Sequence, residues 1–211
     1  MPLNLNVPYS EKDLAKARGA FWNPELKTWY VPDTKYSELT HFEKWLPVND
    51  VDLILPRDLV IALTARICWK CNHNNQVIAI GANSFYEKGF NDEENKQIWD
   101  KHDFFTLFQN IKIISGSLLH ILTEQYPNYK LGYSKTVGGK YWSNHCSQCK
   151  AIQGDWFLFD EPGSAFTPLS PQEASRISLK KIHLPFDTMI NGTFSLGDHL
   201  DLIQDYAVTS L

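Results

Sequence analysis

The sequence predicts an α+β protein in two parts, and three observations carry that expectation. Residues 1–48 run from an apolar–polar alternation through a short helix and an aromatic hairpin to a second amphipathic helix, a β-α-β-β-α order. All four cysteines fall in two C-x-x-C units, Cys68-Trp69-Lys70-Cys71 and Cys146-Ser147-Gln148-Cys149. β-rich segments lead into both units. Two such turns can supply the four sulfurs of a closed tetrahedral Zn²⁺ site, with no position left for water or substrate. Residues 49–211 are therefore expected to form a mixed domain centred on a zinc ribbon, with a helical insertion at 72–145.

In the first part, Leu3-Asn4-Leu5-Asn6-Val7 alternates as a half-buried strand. Ser10 is placed as a helix N-cap with Asp13 three positions on, and Gly19 ends the helix where a left-handed residue is wanted. Ala20-Phe21-Trp22 and Thr28-Trp29-Tyr30-Val31 flank the turn Asn23-Pro24-Glu25-Leu26-Lys27, a hairpin signal. Tyr36 to Leu46 follows as an amphipathic helix with Leu39, Phe42 and Leu46 on one stripe and Trp45 at its edge. Trp22 and Trp29 are expected in the core of so small a unit. Phe21 and Tyr30 then point to the opposite face of the hairpin. With Lys27 nearby and Lys12, Lys16 and Arg18 on the preceding helix, that face can stack bases and hold phosphates. Residues 1–50 carry six basic and seven acidic residues, so any such surface is local.

The runs Val7-Pro8-Tyr9-Ser10-Glu11-Lys12-Asp13, Ala15 to Pro24 and Lys27-Thr28-Trp29-Tyr30-Val31-Pro32 resemble a small bacterial domain of unknown function. That domain accompanies plasmid DNA primases of the TraC kind, and it is more distantly similar to the HARP module of annealing helicases. The resemblance covers about the first quarter of the chain. It implies a DNA context, with single-stranded or forked DNA as the partner, and a plasmid or prophage setting. The Cys146-x-x-Cys149 stretch with Gln153-Gly154-Asp155 is similar to uncharacterised bacterial proteins and implies only a shared ribbon-like scaffold.

Beyond the linker Asn49-Asp50, Leu53 to Leu55 and Leu59 to Ile67 are β-rich and lead into the first knuckle, and Gln76 to Gly81 leads out. Asn72 sits where a left-handed residue is commonest after such a turn. Asn91 to Lys101 is read as a loop with a helical turn, and Phe104, Phe105, Leu107 and Phe108 as buried anchors. Ser117 to Tyr126 is a helix stopped by Pro127. Tyr133 to Asn144 is a hairpin around Gly138-Gly139 that delivers the second knuckle. Ile152 to Phe159 is read as a strand. Ser170-Pro171-Gln172-Glu173 starts a short helix. Ile177 to Leu184 alternates as a strand, Asn191-Gly192 marks a hairpin turn, and Gly197 to Val208 is a terminal helix.

Other readings of the cysteines have less behind them. A redox C-x-x-C needs one motif beside a βαβ pattern, and secreted disulfides need a signal peptide. Closing the 72–145 loop costs about 3–4 kcal/mol plus a constant, against on the order of 10–16 kcal/mol released by a structural zinc site. His73 and His145 flank the knuckles, where a supporting hydrogen bond fits them better than ligation.

Composition bounds the rest. With 43% apolar residues and seven tryptophans, 211 residues can bury a large core. A net charge of −4 weighs against indiscriminate nucleic-acid binding. No apolar run is long enough to span a bilayer. The opening Met1-Pro2-Leu3-Asn4-Leu5-Asn6 has no signal character, so a cytoplasmic setting is expected. Asp155, Asp160 and Glu161 suggest a diverged metal-dependent nuclease, but no lysine follows at nuclease-like spacing. P-loop, dinucleotide and serine-elbow patterns are absent. The sequence thus points to a non-catalytic, zinc-stabilised DNA-associated accessory protein, with a protein–protein adaptor or inhibitor as the alternative.

Overall fold

The computed structural model of the chain describes residues 2–210, with Met1 and Leu211 outside them. Alternation along β1 (Pro2–Leu5) buries Leu3 and Leu5. Helix α1 (Lys12–Ala17) is followed by Gly19 at φ +94°, the left-handed geometry expected there. β2 (Phe21–Asn23) and β3 (Thr28–Pro32) form the hairpin, with Phe21 opposite Tyr30 and Trp22 opposite Trp29, and β1 completes a sheet of order β1-β3-β2.

Two expectations for this unit are corrected. The segment Asp33–Trp45 is a 3₁₀ helix, and its buried side chains are Tyr36, Leu39, Phe42 and Trp45. A three-residue spacing eclipses side chains in 3₁₀ geometry, so this stripe aligns there and would drift around an α-helix. Trp45 therefore belongs to the core, and Leu46 lies beyond the helix. Trp22 and Trp29 do not form the core either. Trp29 shares the inner face with Val31 but packs only at the margin, and Trp22 stays 48% exposed. Tyr36, Phe42 and Trp45 already cover that face.

The rest of the chain builds one nine-stranded sheet and a three-stranded satellite. β4 (Leu53–Leu55), β5 (Asp58–Ile67), β6 (Asn74–Ala82), β7 (Phe85–Asn91), β8 (Lys96–His102) and β9 (Thr106–Ile114) come first. Helix α2 (Gly116–Gln125) separates them from the satellite strands β10 (Tyr129–Ser134), β11 (Gly139–His145) and β12 (Ile152–Gln153). After α3 (Pro171–Ala174) the chain returns through β13 (Ser178–His183), β14 (Thr188–Phe194), helix α4 (His199–Tyr206) and β15 (Val208–Ser210). The large sheet runs β15-β13-β5-β6-β9-β14-β4-β7-β8.

Both faces of this sheet are covered, which is why β5 and β6 read as long apolar runs. Ile61, Ile78 and Ile80 point to a cluster shared with Leu118 and Leu122 of α2. Val60, Ala62, Val77 and Ala79 point the other way, to Leu158, Phe166 and Ile203. A third cluster joins the N-terminal unit to the sheet through Ile54, Trp99 and Met189. At that junction the buried Tyr36 hydroxyl donates to Asp187 Oδ2 at 2.7 Å, and Arg57 N–H donates to Asp187 Oδ1 at 2.8 Å.

The segment expected as a helical insertion is mainly strand. Residues 72–145 hold one α-helix, α2, whereas β6 to β9 belong to the large sheet. Asn91 to Lys101, read as a loop, includes most of β8 and the turn of the β7–β8 hairpin, where Asn91 Oδ1 accepts from Glu93 and Glu94 N–H. β8 is an edge strand in which only Trp99 is buried, so its residues show too little apolar alternation to read as a strand. Phe105, Leu107 and Phe108 are buried as expected, while Phe104 remains 36% exposed. The Asn191-Gly192 pair is not a hairpin turn. It lies within β14 at a bulge against β9, where a Cβ on Gly192 would come within 3.0 Å of Gln109 O. Only Ile152–Gln153 of the strand expected over 152–159 is paired, and Trp156–Asp160 forms a single π-helical turn. Among the described residues no helix is long and apolar enough to cross a membrane.

Candidate metal centre

The first knuckle is the reverse connection between β5 and β6. Its backbone closes by Cys68 N–H to His73 O at 2.8 Å and Asn72 N–H to Cys68 O at 3.0 Å. The second knuckle, between β11 and β12, repeats both bonds: Cys146 N–H to Ala151 O at 2.8 Å and Lys150 N–H to Cys146 O at 3.0 Å. Asn72 and Lys150 occupy the same place after each C-x-x-C, at φ +56° and +61°. Lys150 escaped sequence reading because lysine carries no preference for that geometry; equal spacing from Cys71 and Cys149 was the available signal.

The two knuckles, carried by different sheets, lie face to face. The Sγ atoms of Cys68, Cys71, Cys146 and Cys149 all lie within 4.8 Å of one another. Cys68 Sγ is 3.7 Å from Cys149 Sγ, and Cys71 Sγ is 3.6 Å from Cys146 Sγ. A tetrahedron of metal–sulfur bonds of about 2.3 Å has sulfur–sulfur edges of about 3.8 Å, so the spacing fits one ion. Cys68 and Cys146 are buried, and Cys71 and Cys149 are half-buried.

Donors surround the sulfurs as a thiolate site requires. Lys70 N–H and Gln153 Nε2 each donate to Cys68 Sγ at 3.4 Å, and Cys149 N–H donates to Cys146 Sγ at 3.4 Å. Burial raises the Cys146 thiol, but N–H groups of Cys149 and Gln148 outweigh it and bring it down to about 6. Cys68 is lowered in the same way, burial being outweighed by Lys70 and Cys71 N–H. At Cys71 the His73 N–H favours the thiolate, yet burial and the sulfurs of Cys149, Cys146 and Cys68 prevail and push it up to about 12. Four thiolates in this space repel one another, and a bound cation is what would let all four ionise.

Braces between the knuckles come from residues that no motif marks. Asn75 Oδ1 accepts from Ser147 N–H at 2.9 Å and Ser147 Oγ at 3.1 Å. Trp69 Nε1 donates to Ile152 O at 2.8 Å. Asn144 spans to β6, accepting from Ile78 N–H and donating to Ile78 O. These partners are separated by 66 to 83 positions. The flanking histidines stay outside the sulfur cluster: His73 serves through its carbonyl, and buried His145 has Nδ1 2.9 Å from Ser143 O.

The aromatic and basic residues of the N-terminal hairpin are placed less uniformly. Phe21 is 52% exposed and stacks on half-buried Tyr30 at 5.8 Å, and Tyr30 also lies 6.5 Å from Phe186. Lys27 is at the hairpin turn with φ +49°. Lys16 is exposed. Lys12 donates to Tyr9 Oη at 2.9 Å, and Arg18 donates to His41 O while lying 5.4 Å from the Trp45 ring. Asp155, weighed as a nuclease carboxylate, is 5% exposed and accepts from Asn110 N–H at 2.8 Å, so it is committed to the interior.

Residues 3–47 match the family model of a domain of unknown function, DUF5710. Over 53 residues the chain is 46% identical to the DNA primase TraC of Escherichia coli. That stretch is 25% of this chain and 4% of the primase, so the chain spans only a small part of that relative's length. The N-terminal unit thus has the resemblance that Val7 to Pro32 suggested. No solved structure matches the chain.

Proposed function

We propose that this chain is a non-catalytic, zinc-stabilised accessory protein of DNA metabolism, of the kind plasmids and prophages encode, acting in the cytoplasm. In this reading Cys68, Cys71, Cys146 and Cys149 hold one structural Zn²⁺ in a ribbon-like clip, a role suited to four soft donors and no open position. Residues 1–48 act as a recognition unit on the body formed by 49–211. Phe21, Lys27 and Tyr30 form its contact surface, with Lys12, Lys16 and Arg18 alongside, and single-stranded or forked DNA is the partner.

The observation that carries the proposal is the 46% identity to a DNA primase over 53 residues, taken with the family match at residues 3–47, where the stacked Phe21–Tyr30 pair lies. The test is a titration of the intact, zinc-loaded protein into labelled single-stranded and forked DNA at about 50 and about 200 mM salt. Binding that weakens steeply with salt is expected. No salt-sensitive binding to either DNA overturns the reading.

A second reading, a protein–protein adaptor, is favoured by Leu14, Trp22 and Leu26, all 43–50% exposed in the same unit. Stoichiometric capture of a partner protein from nuclease-treated extract would select it.

A further inference from the structure

Charge is divided unevenly along the chain. Residues 59–86 and 125–154 hold both knuckles, β6, β10 to β12 and all of β5 but its first residue, Asp58. They contain six basic residues (Arg66, Lys70, Lys130, Lys135, Lys140 and Lys150) and no aspartate or glutamate, in a chain of net charge −4. A Zn²⁺ tetrathiolate adds only about two negative charges, so the knuckle end remains basic. All five lysines are exposed.

The same end carries a groove of about 980 Å³ between the β10–β11 hairpin and the Trp156–Asp160 turn. Trp69, Lys70, Tyr133, Lys135, Trp156 and Phe157 line it, and Trp69 and Phe157 also line an adjoining depression of about 620 Å³ that reaches Arg66. Trp69 is 68% exposed, Tyr133 59%, Trp156 64% and Phe157 53%. Four large aromatic side chains in one groove are more than an unpartnered surface ordinarily shows.

Their mounts are fixed. The Trp69 indole is tied to Ile152 O at 2.8 Å. Leu158 and Phe159 are buried on the inner side of the turn, which leaves Trp156 and Phe157 outside. The start of that turn is held by the Asp155 carboxylate on Asn110 N–H. Preset rings lose little entropy when a base stacks on them.

We propose that this groove is a second DNA site, for single-stranded DNA, separate from the N-terminal hairpin and resting on the DNA reading above. Exposed rings together with Lys70 and Lys135 suit a strand whose bases are free to stack and whose phosphates meet ammonium groups. A duplex hides its base faces, and of the two aspartates that line the groove Asp155 is 5% exposed and engaged by Asn110 N–H, which leaves Asp160 as the exposed one.

The test compares the intact, zinc-loaded protein with four variants of confirmed zinc content, using a labelled oligonucleotide of about 20 bases. Tyr133→Ala with Trp156→Ala removes rings, and Lys70→Glu with Lys135→Glu reverses charge. Phe21→Ala with Lys27→Glu probes the hairpin, and Lys181→Glu on β13 is the control. Each groove pair is expected to weaken single-stranded DNA binding roughly tenfold or more. The lysine pair also flattens the salt dependence, by roughly 0.7 in log–log slope for each phosphate that is no longer neutralised. The control should bind as the parent does. If the ring pair folds poorly, the lysine pair, made at exposed positions, decides. Groove variants that bind like the parent while the hairpin variant fails would overturn this site and leave the DNA reading intact. No binding by the parent overturns both. Tighter binding of duplex, of RNA of the same sequence, or of an acidic peptide overturns the single-stranded DNA assignment.

Discussion

Asp155 shows how one residue reads differently in sequence and in place. Beside Asp160 and Glu161 it suggested metal chemistry, but the fold buries it against β9 with one backbone donor. Burial, opposed by the Asn110 N–H, pushes its carboxyl up to about 7. A raised carboxyl favours the protonated form in the folded state, so its stabilising effect is full below the unfolded value and is lost as pH rises through about 7. Asp155→Asn keeps an oxygen for the Asn110 N–H and removes the charge. Denaturant unfolding at pH 5 and pH 8 should show the variant gaining on the parent at the higher pH, on the order of 1–4 kcal/mol. A parent and variant with parallel pH profiles would contradict this.

At the scale of elements, the two knuckles are the same turn made twice, and what joins them is side-chain bracing. Asn75, at the start of β6, accepts two bonds from Ser147 and so fixes one turn against the other. Asn75→Ala should leave the ligands in place but loosen their mutual geometry, weakening zinc about 10–100-fold in a chelator competition. Unchanged affinity would show that the sulfurs position themselves. Elements with a local signal were legible: the knuckles, α2, β13 and the Ser170 cap, whose Oγ does accept from Glu173 N–H. The β7–β8 hairpin was not, because a half-buried edge strand need not alternate. The 3₁₀ segment passes for an α-helix in sequence because three-residue spacing is half of an α-helical stripe and the whole of a 3₁₀ one.

For the whole molecule, the proposed ion and the large sheet are separable supports. The sheet's two-sided core, around Ile61, Ile80 and Phe108 on one face and Ala62, Ala79 and Leu107 on the other, does not pass through the cysteines. The knuckle end depends on them. Chelation of the zinc-loaded protein should therefore speed amide exchange first at residues 68–74 and 141–153, with β4, β9 and β14 still protected. It should also lower global stability by about 4 kcal/mol where free zinc had stood near a thousand times its dissociation constant. Uniform loss of protection would mean that the whole fold hangs on the metal.

The amino-acid order by itself determined what short range can encode: two cysteine turns, a capped helix, an aromatic hairpin, and an N-terminal unit recognisable from its glycine, tryptophan and proline positions. Only the tertiary structure decided which of these meet. It set four sulfurs within 4.8 Å across 74 intervening residues, laid Tyr36 against Asp187, and turned Trp69, Tyr133 and Trp156 into one lysine-flanked groove. Those contacts join the large sheet to its satellite and to the N-terminal unit, and packing between segments up to 151 positions apart leaves no local mark on either.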